Sequence, residues 1–291
     1  MKTTDSIGAA FRVLRKERGF TLKEMSEDII SYSYLSKFEK GEAQISLHNF
    51  IQLARRLNMT VDEILYFSKT KTINNLAFFQ KVSIAHSKSD LSVLKNYLHD
   101  EQKLFEKTNI DYHKYNAIML AVTIKDIDES FSVEEYDPNI LVDYLLSCYF
   151  WSTYEINLFG NVLAIFSKDL LIVLLKETEK RITEYRVMNK NYCDLIRLIE
   201  NACIILLRRK EAEQAQRLAE SLDGIMGKYY YFEKIRKLFI DSIVKLALED
   251  FEEGEREARK IVEIMCTFDQ EFAKNHELEL EAFLETFKRQ D

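Results

Sequence analysis

An all-α chain is the fold class this 291-residue sequence predicts, and three observations carry it. Seven glycines and one proline, Pro138, leave little material for hairpins or tight strand–helix loops. Apolar residues recur at helical spacing almost from end to end. A composition of 47% hydrophobic and 31% charged residues suits a folded, soluble chain with length for two domains. The expected arrangement is five short helices over 1–67, a polar linker at 68–75, and stacked helical hairpins over 76–291.

Ser6 caps a first helix whose apolar face is Ile7, Ala10, Phe11 and Leu14, at i, i+3, i+4 and i+7, and Gly19 stops it. Thr21 opens a second, with Glu24 completing a capping box and Leu22, Met25 and Ile29 facing inward. Ser31 or Ser33 starts a third, which offers only Leu35 and Phe38 to the core before Gly41 supplies a left-handed stop. Ser46 caps a fourth that buries Leu47, Phe50, Ile51, Ala54 and Leu57. Thr60 with Glu63 makes another capping box for VDEILYF.

The third helix is too polar to be placed for core strength. With Leu35 and Phe38 turned inward, Tyr32, Ser33, Ser36, Lys37 and Lys40 are left on the opposite side. A short helix of this kind has the shape of a recognition helix, whose N-terminal end enters the DNA major groove and reads base edges. Charge agrees with a local contact. Residues 1–68 hold 10 of the 41 Lys+Arg and 9 of the 48 Asp+Glu, a net +1, which leaves −8 on the remainder.

RVLRKERGFTLKEMSEDIISYSYLSKFEKGEAQIS (12–46) resembles the helix-turn-helix of the Cro/repressor-type family, whose signature ends in serine, a basic residue, an apolar residue, glutamate, any residue, glycine. More narrowly, YLSKFEKGEAQIS together with WSTYEINLFGN at 151–161 resembles the Rgg/MutR group of Gram-positive transcriptional regulators. The resemblance implies base contacts from Tyr32, Ser33 and Lys37, with Ser36 and Lys40 on the same face; Tyr34 fits either side. It also implies that Arg15 and Glu39, which alone read as DNA-facing charges, form an internal ion pair. Many relatives grip the phosphate backbone with a glutamine where this chain has Leu22, which shifts the expected contacts to Thr21, Lys23 and the basic end of the first helix.

Beyond SKTKTINN (68–75) one amphipathic helix follows another. Tyr115, Ile118, Met119 and Val122 make one stripe; Leu195, Leu198, Ile199, Ala202 and Leu206 make a second. KLALEDFEEGEREARKIVEIM (245–265) resembles a tetratricopeptide helix–turn–helix, with Ala247, Gly254 and Ala258 at small-residue positions. A solenoid of such hairpins presents a concave groove. Tyr154, Asn157 and Asn161 fall at i, i+3, i+7, opposite Ile156, Phe159, Leu163 and Phe166, and Arg197, Asn201 and Arg208 align similarly. An asparagine amide both donates and accepts, which suits an extended peptide backbone. Tyr154, Asn157, Asn161, Arg197 and Asn201 are therefore the expected peptide contacts, with inter-helix hydrogen bonds or a solvated face as the alternative. That the ligand is a short, secreted and re-imported pheromone is implied by the resemblance alone. Leu280, Phe283, Leu284 and Phe287 form one side of the last helix, either a dimer contact or a cap on the solenoid.

No catalytic constellation is present in the sequence: the five histidines are scattered, with no HExxH, GxSxG or glycine-rich phosphate loop. The four cysteines form no CxxC pair and read as buried thiols, so neither metal nor cofactor is expected. The first 19 residues are amphipathic and charged rather than a signal peptide, and the apolar run LLIVLL at 170–175 is far too short for a bilayer. The sequence thus reads as a cytoplasmic, homodimeric transcriptional regulator that binds double-stranded DNA and a short signalling peptide, without a membrane partner. The competing reading is a DNA-tethered interaction protein whose repeats dock a protein.

Overall fold

The computed structural model describes residues 6–68, 75–188, 192–223, 226 and 230–288, and every regular element among them is helical. The chain divides into two compact units, Met1–Asn74 and Asn75–Asp291. Residues 69–74 of the expected linker lie outside the described residues.

The first unit holds α1 (Ile7–Glu17), α2 (Leu22–Ser26), α3 (Tyr32–Lys40), α4 (Leu47–Arg56) and α5 (Val61–Phe67). Ser6, Thr21, Ser31, Ser46 and Thr60 all cap their helices through the side chain, and Thr21 and Thr60 complete capping boxes with Glu24 and Glu63. Gly41 ends α3 at φ +78°, a conformation open to glycine at little cost. The α2–α3 turn places Asp28 at φ 58°, and Arg56 of α4 clasps that turn by donating to the carbonyls of Glu24, Met25 and Glu27. The core is a ring of Phe11, Phe38 and Phe50, with centroids 6.0–6.3 Å apart, closed by Leu14, Met25, Leu35, Leu53, Leu57 and Ile64.

Two expectations within this unit are corrected. Leu47 is 68% exposed, because as the first residue of α4 it lies on the turn that projects past the core. Leu53, one position outside the stripe read from the sequence, is buried in its place.

The second unit runs α6 (Asn75–Ser87), α7 (Leu91–Thr108), α8 (Asp111–Ile127), α9 (Pro138–Ser147), α10 (Thr153–Val162), α11 (Lys168–Met188), α12 (Tyr192–Arg208), α13 (Ala212–Ser221), α14 (Tyr231–Leu248), α15 (Phe251–Phe268) and α16 (Gln270–Phe287). Its packing order explains the solenoid. The even-numbered helices α6, α8, α10, α12, α14 and α16 lie side by side in sequence, while α7, α13 and α15 each pack between the two that flank them. In those hairpins one helix thus faces inward and its partner backs it, whereas α9 and α11 pack on each other.

WSTYEINLFGN is a packing device as well as a surface. Trp151 is fully buried and donates from Nε1 to the Leu145 carbonyl at 2.9 Å. Ser152 and Glu155 form a capping box, and Glu155 also accepts from the Tyr144 hydroxyl. Ile156, Phe159, Leu163 and Phe166 are buried, as their spacing predicts. At Gly254 a Cβ would stand 2.4 Å from the Leu246 nitrogen, so only glycine lets α15 approach α14 this closely.

α8 departs from a one-sided stripe: residues 116–124 are buried without a break, because α6, α7, α9 and α10 surround it. Within its own chain the last-helix stripe packs as a cap. Leu280 and Phe283 are 1% exposed, and Leu284 and Phe287 pack against the same core within their own chain. The thiols are not uniformly buried either; Cys203 is, Cys148 and Cys193 are half-buried, and Cys266 is exposed.

Candidate functional site

Two faces carry chemistry, one in each unit. On α3, Leu35, Phe38 and Glu39 point inward, while Tyr32, Ser33, Lys37 and Lys40 are exposed and Ser36 is half-exposed. The inner side of the helix is fixed by an ion pair rather than by hydrophobic contact alone. Arg15 of α1 meets the Glu39 carboxylate with Nε–Oε1 at 2.5 Å and Nη2–Oε2 at 2.8 Å, and its Nη1 donates to the Phe20 carbonyl at 2.6 Å. Both side chains are at most 6% exposed. The pair is structural, and neither charge is free for a ligand.

The open side of α3 is a continuous polar stripe. Ser33 shares a 3.2 Å contact with the Ser31 hydroxyl, and Tyr34, 40% exposed, donates to the Gln44 carbonyl, which anchors the α3–α4 connection. Thr21 and Lys23 are exposed at the start of α2, but the Thr21 hydroxyl is already engaged by Glu24 at 2.7 Å. His48 is on the surface beside Gln52.

The second face is a cavity of about 1020 Å³ in the helical unit, at the upper end of ordinary small-ligand sites. Among the described residues, every helix that lines it is even-numbered: α6, α8, α10, α12, α14 and α16 each contribute, together with the 133–137 segment and the 3-10 turn Leu163–Ile165. This is the concave side of the solenoid. Its walls combine aliphatic patches (Val122, Leu163, Ile204, Ile205) with two amides, Asn161 and Asn201.

The charged lining is paired in part. His86 hydrogen-bonds Asp126 at 2.8 Å, which holds that carboxyl below its ordinary range. Arg208 donates to Glu279 at 2.9 Å. Arg236 donates from Nη2 to the Asn201 side-chain oxygen at 2.8 Å, while its Nη1 stands 3.0 Å from Glu200. Glu200 itself is fully buried behind the wall. That contact lacks hydrogen-bond alignment, so both carboxylate oxygens go without a donor and burial pushes the group up to about 7.

Of the five residues expected to contact peptide, the cavity brings together two, Asn161 and Asn201; Arg208 of the aligned stripe joins them. Tyr154 is turned into the core, where its hydroxyl donates to Asn116 at 3.0 Å and its ring meets Phe79. Asn157 is half-buried and donates back to the Thr153 carbonyl. Arg197 is exposed outside the cavity and pairs with Asp194 and Glu233. None of these three lines the cavity: Tyr154 bonds across to α8 and Arg197 to α14, while the Asn157 amide turns back on α10 itself. Sequence reasoning missed Arg236, His276 and Glu279, which come from α14 and α16 and share no local pattern with α12.

The family model for the C-terminal domain of the HTH-type transcriptional regulator Rgg matches residues 94–277, and a helix-turn-helix model matches residues 11–64. Among solved structures, a candidate transcriptional regulator from Listeria monocytogenes EGD-e is 21% identical, with 99% of this chain and 100% of that one covered and a TM-score of 0.83. The Streptococcus dysgalactiae SHP pheromone receptor Rgg2 is 22% identical over 97% and 99% of the two chains, with a TM-score of 0.75. A bacterial peptide pheromone/receptor complex is 13% identical over 95% and 98%, with a TM-score of 0.70. At these identities the likeness is one of fold.

Proposed function

Because the chain belongs to the Rgg family of helix-turn-helix transcriptional regulators, whose C-terminal-domain model spans more than half of it, we propose that it is a cytoplasmic, peptide-controlled regulator. Its first unit binds double-stranded DNA through α3, and its second takes a short signalling peptide in the concave cavity. The observation that carries this reading is the cavity itself. Six inner helices line a trough of about 1020 Å³ whose walls hold two amides and several aliphatic side chains. Asn161 and Asn201 suit the backbone of an extended peptide; Val122, Ile204 and Ile205 suit its apolar side chains.

On the DNA side, Lys37 and Ser33 suit base edges, Tyr32 a phosphate or a thymine methyl, and Ser36, Lys40, Lys23 and Thr21 the flanking backbone. One five-helix unit reads a half-site, so a two-fold homodimer belongs to the same reading. Exposed Ile264, Phe268 and Leu278 on α15 and α16 offer apolar surface for it. Sedimentation of the full chain at micromolar concentration checks this point, and a monomer rejects it.

Footprinting of the full chain on DNA upstream of its own gene, with and without short apolar peptides encoded nearby, tests the reading as a whole. A footprint whose occupancy or extent changes with one peptide supports it. A footprint indifferent to every peptide transfers the cavity to a protein partner, and no footprint removes the DNA assignment.

A further inference from the structure

The cavity is not electrically uniform. Arg208 and Arg236 meet at the end formed by α12, α14 and α16, close enough that both act on the Glu279 carboxyl. Arg236 is held from behind by Glu200, and Arg208 is held by Glu279 on the cavity wall itself. Burial pushes both the Glu279 and the Glu200 carboxyls up. Beyond the Arg236 Nη1 contact with Glu200, part of the donor set is unused. An arginine carries five N–H bonds; among the described residues Arg236 has one hydrogen bond, to Asn201, and Arg208 one, to Glu279. Arg236 is 15% exposed, enough to line the wall while its planar fork stays fixed.

We propose that this end of the cavity is a carboxylate site, in which Arg236, aimed by Asn201 and Glu200 and assisted by Arg208, receives the free C-terminal carboxylate of the bound peptide. The inference rests on the peptide reading above and adds direction to it. The C-terminus lies at α12–α14, and the remainder of the peptide runs past Asn201 and Asn161 toward α8. Every unmodified linear peptide carries this group, and a planar fork binds it bidentately.

The test uses the immobilised full-length chain and an equimolar library of octapeptides randomised over Leu, Ile, Val, Phe, Trp and Gly. Half of the library is made as free acids and half as C-terminal amides, and the retained peptides are counted by mass spectrometry. Free acids are expected to exceed amides at least tenfold, and the excess should vanish in Arg236→Gln. Should that variant fail to fold, the double variant Glu200→Gln/Arg236→Gln removes both charges together and makes the same comparison. Acids and amides retained equally by the parent chain overturn the carboxylate site while leaving the peptide reading standing. No retention above a blank surface overturns both. A companion set of amides bearing one aspartate, if retained as well as the free acids, moves the anion to a side chain and overturns the terminal assignment.

Discussion

Arg15 and Glu39, 24 residues apart, form a bidentate pair that ties α1 to the inner face of α3. Both charges are out of water, so removal of one leaves the other buried without a partner. Glu39→Ala should cost roughly 3–5 kcal/mol and lower the melting midpoint of the N-terminal unit by roughly 10 °C or more. Thermal unfolding of the full chain, followed by a probe confined to that unit, checks it. A variant that melts like the parent yet no longer binds DNA would show that the pair faces a ligand.

Lys37→Ala touches the other side of the same helix. Lys37 is exposed and has no role in the unit's core. The substitution should leave the melting curve unchanged, weaken specific DNA binding by roughly 1–3 kcal/mol and relax preference at one base pair. Gel-shift titrations on the mapped operator and on single-base variants read both effects.

Gly254 and Gly160 make a matched pair. A Cβ at Gly254 would meet the Leu246 backbone at 2.4 Å, whereas one at Gly160 would rest 3.9 Å from the Leu198 Cβ, an ordinary contact. Gly254→Ala should destabilise by roughly 1–3 kcal/mol as α15 is forced off α14. Gly160→Ala, in a helix interior, should be neutral or stabilising by up to about 1 kcal/mol. Urea unfolding midpoints of the two variants should move in opposite directions or by clearly unequal amounts.

These cases show what was legible. Helix starts were, because a cap is a local code: Ser6, Thr21, Ser46 and Thr60 bond backbone only three residues away. So was the polar side of α3, since Leu35 and Phe38 fix its rotation without outside help. Long helices of the second unit were harder. Spacing places Tyr154 beside Asn157 and Asn161, but only the positions of α6 and α8 decide that Tyr154 reaches Phe79 and Asn116. Arg236 had no signal at all. Its place in the cavity depends on how α14 lies against α12, 35 residues from Asn201.

Glu200 predicts a pH dependence. Its folded-state value is pushed from the ordinary 4.5 up to about 7 by burial, with Arg236 opposing and Glu233 reinforcing the shift. A carboxyl raised on folding leaves stability intact below its unfolded value and erodes it as pH rises through the folded one. The loss between about pH 4.5 and 7.5 should reach roughly 3 kcal/mol. Glu200→Gln keeps the volume and removes the titration. Its melting point should match the parent near pH 5 and exceed it at pH 8; identical pH profiles would contradict the assignment.

The concave cavity is the proposed peptide site, and Asn201 is its most direct probe. The residue is exposed and accepts one hydrogen bond from Arg236, so Asn201→Ala should lose no more than about 1 kcal/mol of stability. Each apolar side chain the peptide buries contributes roughly 1.5–3 kcal/mol before ordering costs, which are large for a flexible chain. Calorimetric titration of the full-length protein with the short apolar peptides encoded beside its gene should therefore find one with nanomolar-to-micromolar affinity that depends on peptide apolarity more than on salt. In Asn201→Ala that affinity should fall tenfold or more. Binding of the same peptide with parental affinity to Asn201→Ala, or no binding to the parent at all, would contradict it.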